Sequence, residues 1–279
     1  MSANFTAAGN VQVWKSRSGP PAFYFRTNSD VNTDGSGHSY HPDDIAGNNG
    51  LAQNTICNGV SRKTSGGEAD CLSRSDCQAC LDLFRSKPKA EMLTRFTRFF
   101  SSFAIATKEG AACVVPEGKP NAGYFVSTTA YLQGGKAVCD PERYLDAMVF
   151  PAIAVPKKLV SNGVKLGDFV LVRNRQNGRS SFGVVYDTSG SRIGESSIAM
   201  NRLLLCDRDR PGCEPPPPPK SYQEATRLVL GDADYLVLAG TVGDWPQSTE
   251  AVTAAARAAF ESWGGEARLK ACAAEYAGQ

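Results

Sequence analysis

Phe169-Val-Leu-Val-Arg-Asn174-Arg-Gln-Asn-Gly178-Arg-Ser-Ser-Phe-Gly-Val-Val-Tyr-Asp187-Thr-Ser-Gly190 sets two apolar runs on either side of an Asn-Gly pair. Asn-Gly supplies the left-handed backbone that a tight turn needs, so between such runs it is a strong hairpin signal. Strands are expected over 169–174 and 181–186. The turn Gly163-Val-Lys-Leu-Gly-Asp168 leads into the first, and Asp187-Thr-Ser-Gly190 leaves the second.

Working outward, runs of Val, Ile, Phe and Tyr bounded by Gly, Pro and Asn predict further strands at 22–26, 123–129, 148–155 and 235–239. Helical spacing governs 76–85 and 90–103, where Leu93, Phe96, Phe99, Phe100 and Phe103 recur at steps of three and four and Pro88 divides the two helices. A third helix is expected at 249–263. Val252, Ala255, Ala256, Ala259, Phe260 and Trp263 share its core face, and Gly264-Gly265 ends it. Pro215 to Pro219 reads as a stiff extended spacer. A single domain over 1–279 is expected, with a cysteine-bearing helical insertion at 65–110.

Thirty basic against twenty-eight acidic residues leave a net charge of +2, which gives no electrostatic footprint for nucleic acid. No run approaches the roughly 18 apolar residues of a membrane span, and Met1-Ser-Ala-Asn-Phe-Thr6 lacks a basic segment followed by an apolar one. Neither a nucleic-acid nor a membrane partner is therefore expected. Nine cysteines, at 57, 71, 77, 80, 113, 139, 206, 213 and 272, lie mostly in polar surroundings, a usage that suits oxidised pairs. Cys206-Asp-Arg-Asp-Arg-Pro-Gly-Cys213 is the bridge most easily read, because Pro-Gly turns its ends together. The odd count leaves at least one thiol without an intrachain partner. Cys77-Gln-Ala-Cys80 is half of a zinc site, but a second such pair is missing and the two histidines lie far upstream.

The chemistry is expected at Asp187 and Glu195. The first ends an apolar strand and the second follows a Gly- and Ser-rich turn, so the two can share one cleft. A carboxyl pair across a small gap is the equipment for general acid and base work on a glycosidic bond. Serine chemistry is disfavoured, since Gly194-Glu-Ser-Ser lacks the second glycine of a nucleophile elbow and no histidine lies downstream.

Tyr40-His-Pro-Asp-Asp44, Gly123-Tyr-Phe-Val-Ser-Thr-Thr129, Asp140-Pro-Glu-Arg-Tyr-Leu-Asp146, Gly163-Val-Lys-Leu-Gly-Asp168, Arg173-Asn-Arg-Gln-Asn-Gly-Arg179, Ile193-Gly-Glu-Ser-Ser-Ile198 and Trp263-Gly-Gly265 occur in this order. The ordered set resembles the bacterial branch of glycoside hydrolase family 75, whose fungal members are chitosanases. The resemblance implies that Asp187 and Glu195 are the catalytic pair, with one residue fewer between them than in the family pattern. It further implies an inverting, endo-acting attack on β-1,4-linked amino-sugar polymers without a cofactor. It places Asp30, Asp34, His41 and Asp43 near the sugar; Tyr40, Ser127, Thr128 and Arg175, which stand in its motifs, are further candidate sugar contacts, and Tyr186, like Tyr131 and Trp245, is an aromatic that could stack on a sugar ring or pack in the core. The β-rich half also resembles the six-stranded double-psi β-barrel of some cellulases, expansins and lytic transglycosylases. The fold expectation is thus mainly β with helical decorations (α+β), a double-psi-like barrel with a helical insertion and a C-terminal helix.

The expected partner is a polysaccharide, chitosan or the glycan strands of peptidoglycan, met outside the cell or in the periplasm. Two other readings stay open: a peptidoglycan-cutting antibacterial effector, whose further partner would be an immunity protein, and an expansin-like module that grips sugar without cutting it. The sequence does not assign acid and base; the longer reach of Glu195 favours it as the acid. Asp30-Val-Asn-Thr-Asp34-Gly35 opens like a calcium loop, but His41 stands where the bidentate Glu belongs, so no metal is expected.

Overall fold

The computed structural model describes residues 2–6, 11–190, 192–206, 214–245 and 248–277. The chain forms two compact units. One comprises Met1–Asn32, Ala147–Pro217 and Leu228–Gln279; the other comprises Thr33–Asp146 and Pro218–Arg227.

The first unit is built on six strands: β1 (Ala22–Asn32), β2 (Ala152–Pro156), β3 (Phe169–Asn174), β4 (Ser180–Ser189), β5 (Glu195–Ser197) and β6 (Leu230–Leu238). They pair in the order β1-β5-β2-β4-β3-β6, and β6 returns to β1, closing a six-stranded barrel. It is mixed: β5 runs parallel to β1 and β4 parallel to β2, while the remaining pairings are antiparallel. Closure removes the unpaired edges that an open sheet would expose. The Asn177-Gly178 hairpin forms as expected, with Gly178 at φ 71° and Phe169 paired to Val184.

Alternation along the strands sorts their side chains between two cores. Phe25, Ile153, Val155, Val170, Val172, Val185, Tyr235 and Val237 fill one. Tyr24, Leu171, Phe182, Leu236 and Leu238 point the other way, against Ala256, Phe260 and Trp263 of helix Thr249–Trp263. Burial on both faces is why β3 and β6 read as unbroken apolar runs. Val252, Ala256, Phe260 and Trp263 of the expected stripe are buried and Ala259 is half-buried, while Ala255 is exposed.

The second unit carries a three-stranded sheet of Val60–Thr64, Gly67–Asp70 and Phe100–Ser102, and helix Arg74–Arg85. Three disulfides tie it: Cys57–Cys77, Cys71–Cys80 and Cys113–Cys139. Cys77 and Cys80 thus enter separate bridges. Structural bridges of this kind fit an oxidising, extracellular-type environment. Cys206 is also disulfide-bonded, while Cys213 lies outside the described residues. Among the described residues Cys272 is a free, buried thiol. Among the described residues no helix is long and apolar enough to cross a membrane.

Two expected elements are corrected here. The helix expected at 90–103 breaks at Arg95 (φ −122°, ψ 30°) into Lys89–Thr94 and Phe96–Phe99, and Phe100 then joins the sheet opposite Arg62. Strand pairing wins because it buries Phe100 among Phe84 and Phe96. The strand expected at 123–129 amounts to isolated bridges, Val114 with Phe125 and Ile105 with Ser127. Expected strands 148–155 and 235–239 form as Ala152–Pro156 and Leu230–Leu238.

Candidate active site

The barrel brings Asp187, Glu195 and Asp30 into one row. Asp187 of β4 is the cross-strand partner of Ala154 on β2, Ala154 is also the partner of Glu195 on β5, and Glu195 is the partner of Asp30 on β1. Residues paired across strands share a face. Ile153, Val155 and Val185 turn into the inner core, so the row lies on the barrel's outer face. A bulge at Tyr186 makes this alignment: Val185 pairs with Ile153 and the next rung is Asp187 with Ala154. Without the extra residue, Asp187 would fall out of register with Ala154.

Local chemistry fixes Glu195. Gly194 has φ 94°, and a Cβ there would meet Asn28 O and Thr27 Cγ2 at 2.5 Å, so only glycine lets the chain enter β5 this close to β1. Its carbonyl accepts from Asp30 N at 2.7 Å. Just past Glu195 the strand becomes helix: Ser197 caps Ile198–Leu205 by accepting from Met200 N at 3.1 Å. Asn201 on that helix reaches back to β1. Its Oδ1 accepts from Ser29 Oγ at 2.8 Å and its Nδ2 donates to Ser29 O at 3.1 Å. Ser29 Oγ also lies 2.8 Å from Ser196 Oγ, which is 3.2 Å from the Tyr235 hydroxyl. This buried polar net locks the two strands from the inside at the level of the outer carboxylates. A fully satisfied net of this kind rigidifies what it joins.

The carboxylates differ in setting. The Glu195 side chain is 16% exposed. Burial pushes its pKa up, Asp30 adds to the rise, and Arg192 and a hydrogen bond from Asn32 oppose it. Asp187 is half-buried, and its Oδ1 accepts from Thr188 N at 2.7 Å. Asp30 is exposed and accepts from Asn28 Nδ2 at 2.7 Å.

The other expected site residues divide between the units. Tyr186 is fully buried and shows no ring surface on which a sugar could stack. Arg175 forms an ion pair with Asp232 and lies 3.7 Å from Asp234. The Tyr186 assignment is corrected, since full burial leaves no ring face for a sugar, whereas the paired Arg175 side chain is 37% exposed. Asp34, Tyr40, His41, Asp43, Ser127 and Thr128 belong to the second unit. There the buried Tyr40 hydroxyl donates to Asp34 at 2.7 Å, and Gly35 N donates to Ser127 Oγ at 3.0 Å. Thr128 Oγ1 donates to Phe103 O at 3.2 Å. His41 Nδ1 accepts from Asp43 N at 3.1 Å, and its ring packs edge-on against Tyr124. Burial lowers the His41 pKa, helped by Lys89 and opposed by Asp43 and Asp44. Lys89 Nζ grips both Asp43 oxygens at 2.7 and 2.8 Å.

Asp30 lies within β1, so the first three positions of the calcium-loop match at 30–41 are extended strand, and the turn begins only at Thr33. Among the described residues no group of three or more His, Cys, Asp or Glu could hold a metal ion. Sequence reasoning missed Ser29, Asn201, Tyr235 and Ala154, which read as ordinary strand and helix positions. No family model matches the chain, and a search of curated proteins found no match.

Proposed function

We propose that this protein is an endo-acting, inverting glycoside hydrolase of β-1,4-linked amino-sugar polymers, with Glu195 as general acid and Asp187 as the base that orients water. The observation that carries the reading is the row Asp187–Ala154–Glu195, two carboxylates separated by one methyl side chain. Two strand spacings put their backbones about 10 Å apart. A backbone separation of that size leaves room for the roughly 6.5–9.5 Å between carboxyls that an inverting pair needs for water, against about 5–5.5 Å for a retaining pair. A buried carboxyl with a raised pKa is the partner that holds a proton to give, which supports Glu195 as the acid. The motif order that resembles glycoside hydrolase family 75 puts its catalytic pair on the same two residues. Three disulfides favour action outside the cell or in the periplasm.

The test is reducing-end release from chitosan and from purified peptidoglycan, assayed side by side with Asp187→Asn and Glu195→Gln. Each variant is expected to fold normally and lose at least about a hundredfold in rate, the lower end of what a positioned acid or base contributes. New ends from peptidoglycan alone would move the substrate to muramyl strands and make an immunity protein the partner to seek. No new ends from either polymer would leave a sugar-gripping module. A variant that keeps near-parental activity would remove its residue from the pair.

A further inference from the structure

We propose that Asp30 is a positioning residue of this site, its carboxylate holding Glu195 in the protonated form that donates to the leaving oxygen. The inference rests on the reading of Glu195 as the acid, and it assigns Asp30 a role other than gripping sugar.

The geometry sets Asp30 apart from Asp187. Asp30 is the direct cross-strand partner of Glu195, whereas Asp187 stands one rung further, beyond Ala154. Neighbouring strands lie about 4.8 Å apart, half the backbone separation of Asp187 and Glu195, and an inverting pair needs the wider gap to seat a water. Asp30 therefore cannot serve as the distant base. At that spacing, however, one carboxylate acts strongly on its neighbour, because like charges disfavour a second ionisation. The two residues also differ in exposure. Asp30 is exposed and accepts from the Asn28 amide at 2.7 Å, while the Glu195 side chain is only 16% exposed.

The groups facing Glu195 come from every strand packed on it. Arg192, 62% exposed and 3.9 Å away, favours the ionised form, as does the Asn32 amide from β1. Burial and Asp30 favour the neutral form. Asp187 stands across Ala154 on the opposite side. Behind the row, the Tyr235 hydroxyl stays neutral: burial raises its pKa, and the charges of Asp30 and Glu195 add to that. Of the influences that keep the proton on Glu195, Asp30 is the one that can be removed without touching a core.

Asp30→Asn keeps shape and hydrogen bonding while deleting the charge. Titration of the Glu195 carboxyl, followed by carbon-13 NMR of the full chain and assigned with Glu195→Gln, should show its midpoint fall to lower pH in Asp30→Asn and return in Asp30→Glu. On whichever polymer the parent cleaves, the alkaline limb of kcat/KM should move to lower pH in the same variant. If Asp30→Asn does not fold, Asp30→Ser decides the question by the same titration. A Glu195 midpoint that stays put or rises on loss of the Asp30 charge overturns the proposal. Because the titration needs no substrate, a parent inactive on both polymers would sink the hydrolase reading and leave the coupling to be judged by NMR.

Discussion

The barrel unit and the unit of Thr33–Asp146 and Pro218–Arg227 hold their shapes by different means. In the first, six strands close on themselves, and every barrel strand has a partner on each side. In the second, the paired strands run five, four, three, two and two residues, too short to hold a sheet by ladder bonds alone. All three described disulfides with both partners lie there, closing spans of 20, 9 and 26 residues. Cross-links restrict the unfolded chain, so they replace the stabilisation that short ladders leave out. The contrast teaches that one chain can combine a fold written in hydrophobic period with one written in cysteine pairing.

Removing one cross-link should break the comparison most visibly. The pair Cys57→Ser with Cys77→Ser is expected to destabilise the second unit by about 2–4 kcal/mol, the usual worth of a native bridge. Hydrogen exchange read by mass spectrometry should show protection lost across Val60–Thr64 and Arg74–Arg85 and kept in Phe169–Asn174 and Leu230–Leu238. Equal loss in both would mean that the units unfold as one.

The complementary test strikes the barrel from within. Tyr235→Phe keeps the ring that stacks on Phe25 at 4.7 Å and deletes the hydroxyl beside Ser196. Leaving that buried group with one partner fewer should cost about 1–3 kcal/mol. The loss should appear in the barrel strands and spare the disulfide-tied sheet. A denaturation midpoint equal to the parent's would show that the net does not hold β1 and β5 together.

This difference also explains how far the sequence could be read. The barrel unit obeys simple rules: Asn177-Gly178 forces a hairpin, and helix Thr249–Trp263 carries its stripe and ends at Gly264 with φ 127°. Asp187 and Glu195 were legible because a strand end and a Gly-Ser turn bracket them. Their separation was not, because it depends on a bulge at Tyr186 and on β2, some thirty residues upstream, entering between them. Ser29 and Asn201 stayed invisible for a similar reason. They are 172 residues apart, and only barrel closure makes them neighbours. In the second unit the Phe96–Phe100 spacing suits a helix, and non-local pairing of Phe100 with Arg62 overrides it. Tyr186 looked like a stacking aromatic because exposure cannot be read from an aromatic at a strand end.

The smallest expected effect comes from acid, and it should act on the two units with opposite sign. Asp44 in the second unit is buried, which alone would raise its pKa, but the backbone N–H groups of Ala52, Leu51, Asn49 and Asn48 outweigh burial and hold it low. A carboxyl held low when folded adds stability above its unfolded value near pH 3.9, and that stability is lost as pH falls through the folded value. In the barrel unit, burial raises Asp168 against N–H groups of Lys165, Thr241 and Gly240, and burial also raises Glu195. A carboxyl held high costs stability once both states are ionised, and the cost is relieved as pH falls through the folded value and then the unfolded one. Hydrogen exchange corrected for intrinsic rates, between pH 6 and pH 3, should therefore show the amides of Asn48, Asn49, Leu51 and Ala52 losing protection below about pH 4. Those of Val170 and Val237 should hold longer. Asp44→Asn should weaken the loop at pH 6 and flatten its pH response. Barrel amides opening before this loop as the solution is acidified would reverse the assignment, and with it the view that backbone donors, more than burial, govern the charge on Asp44.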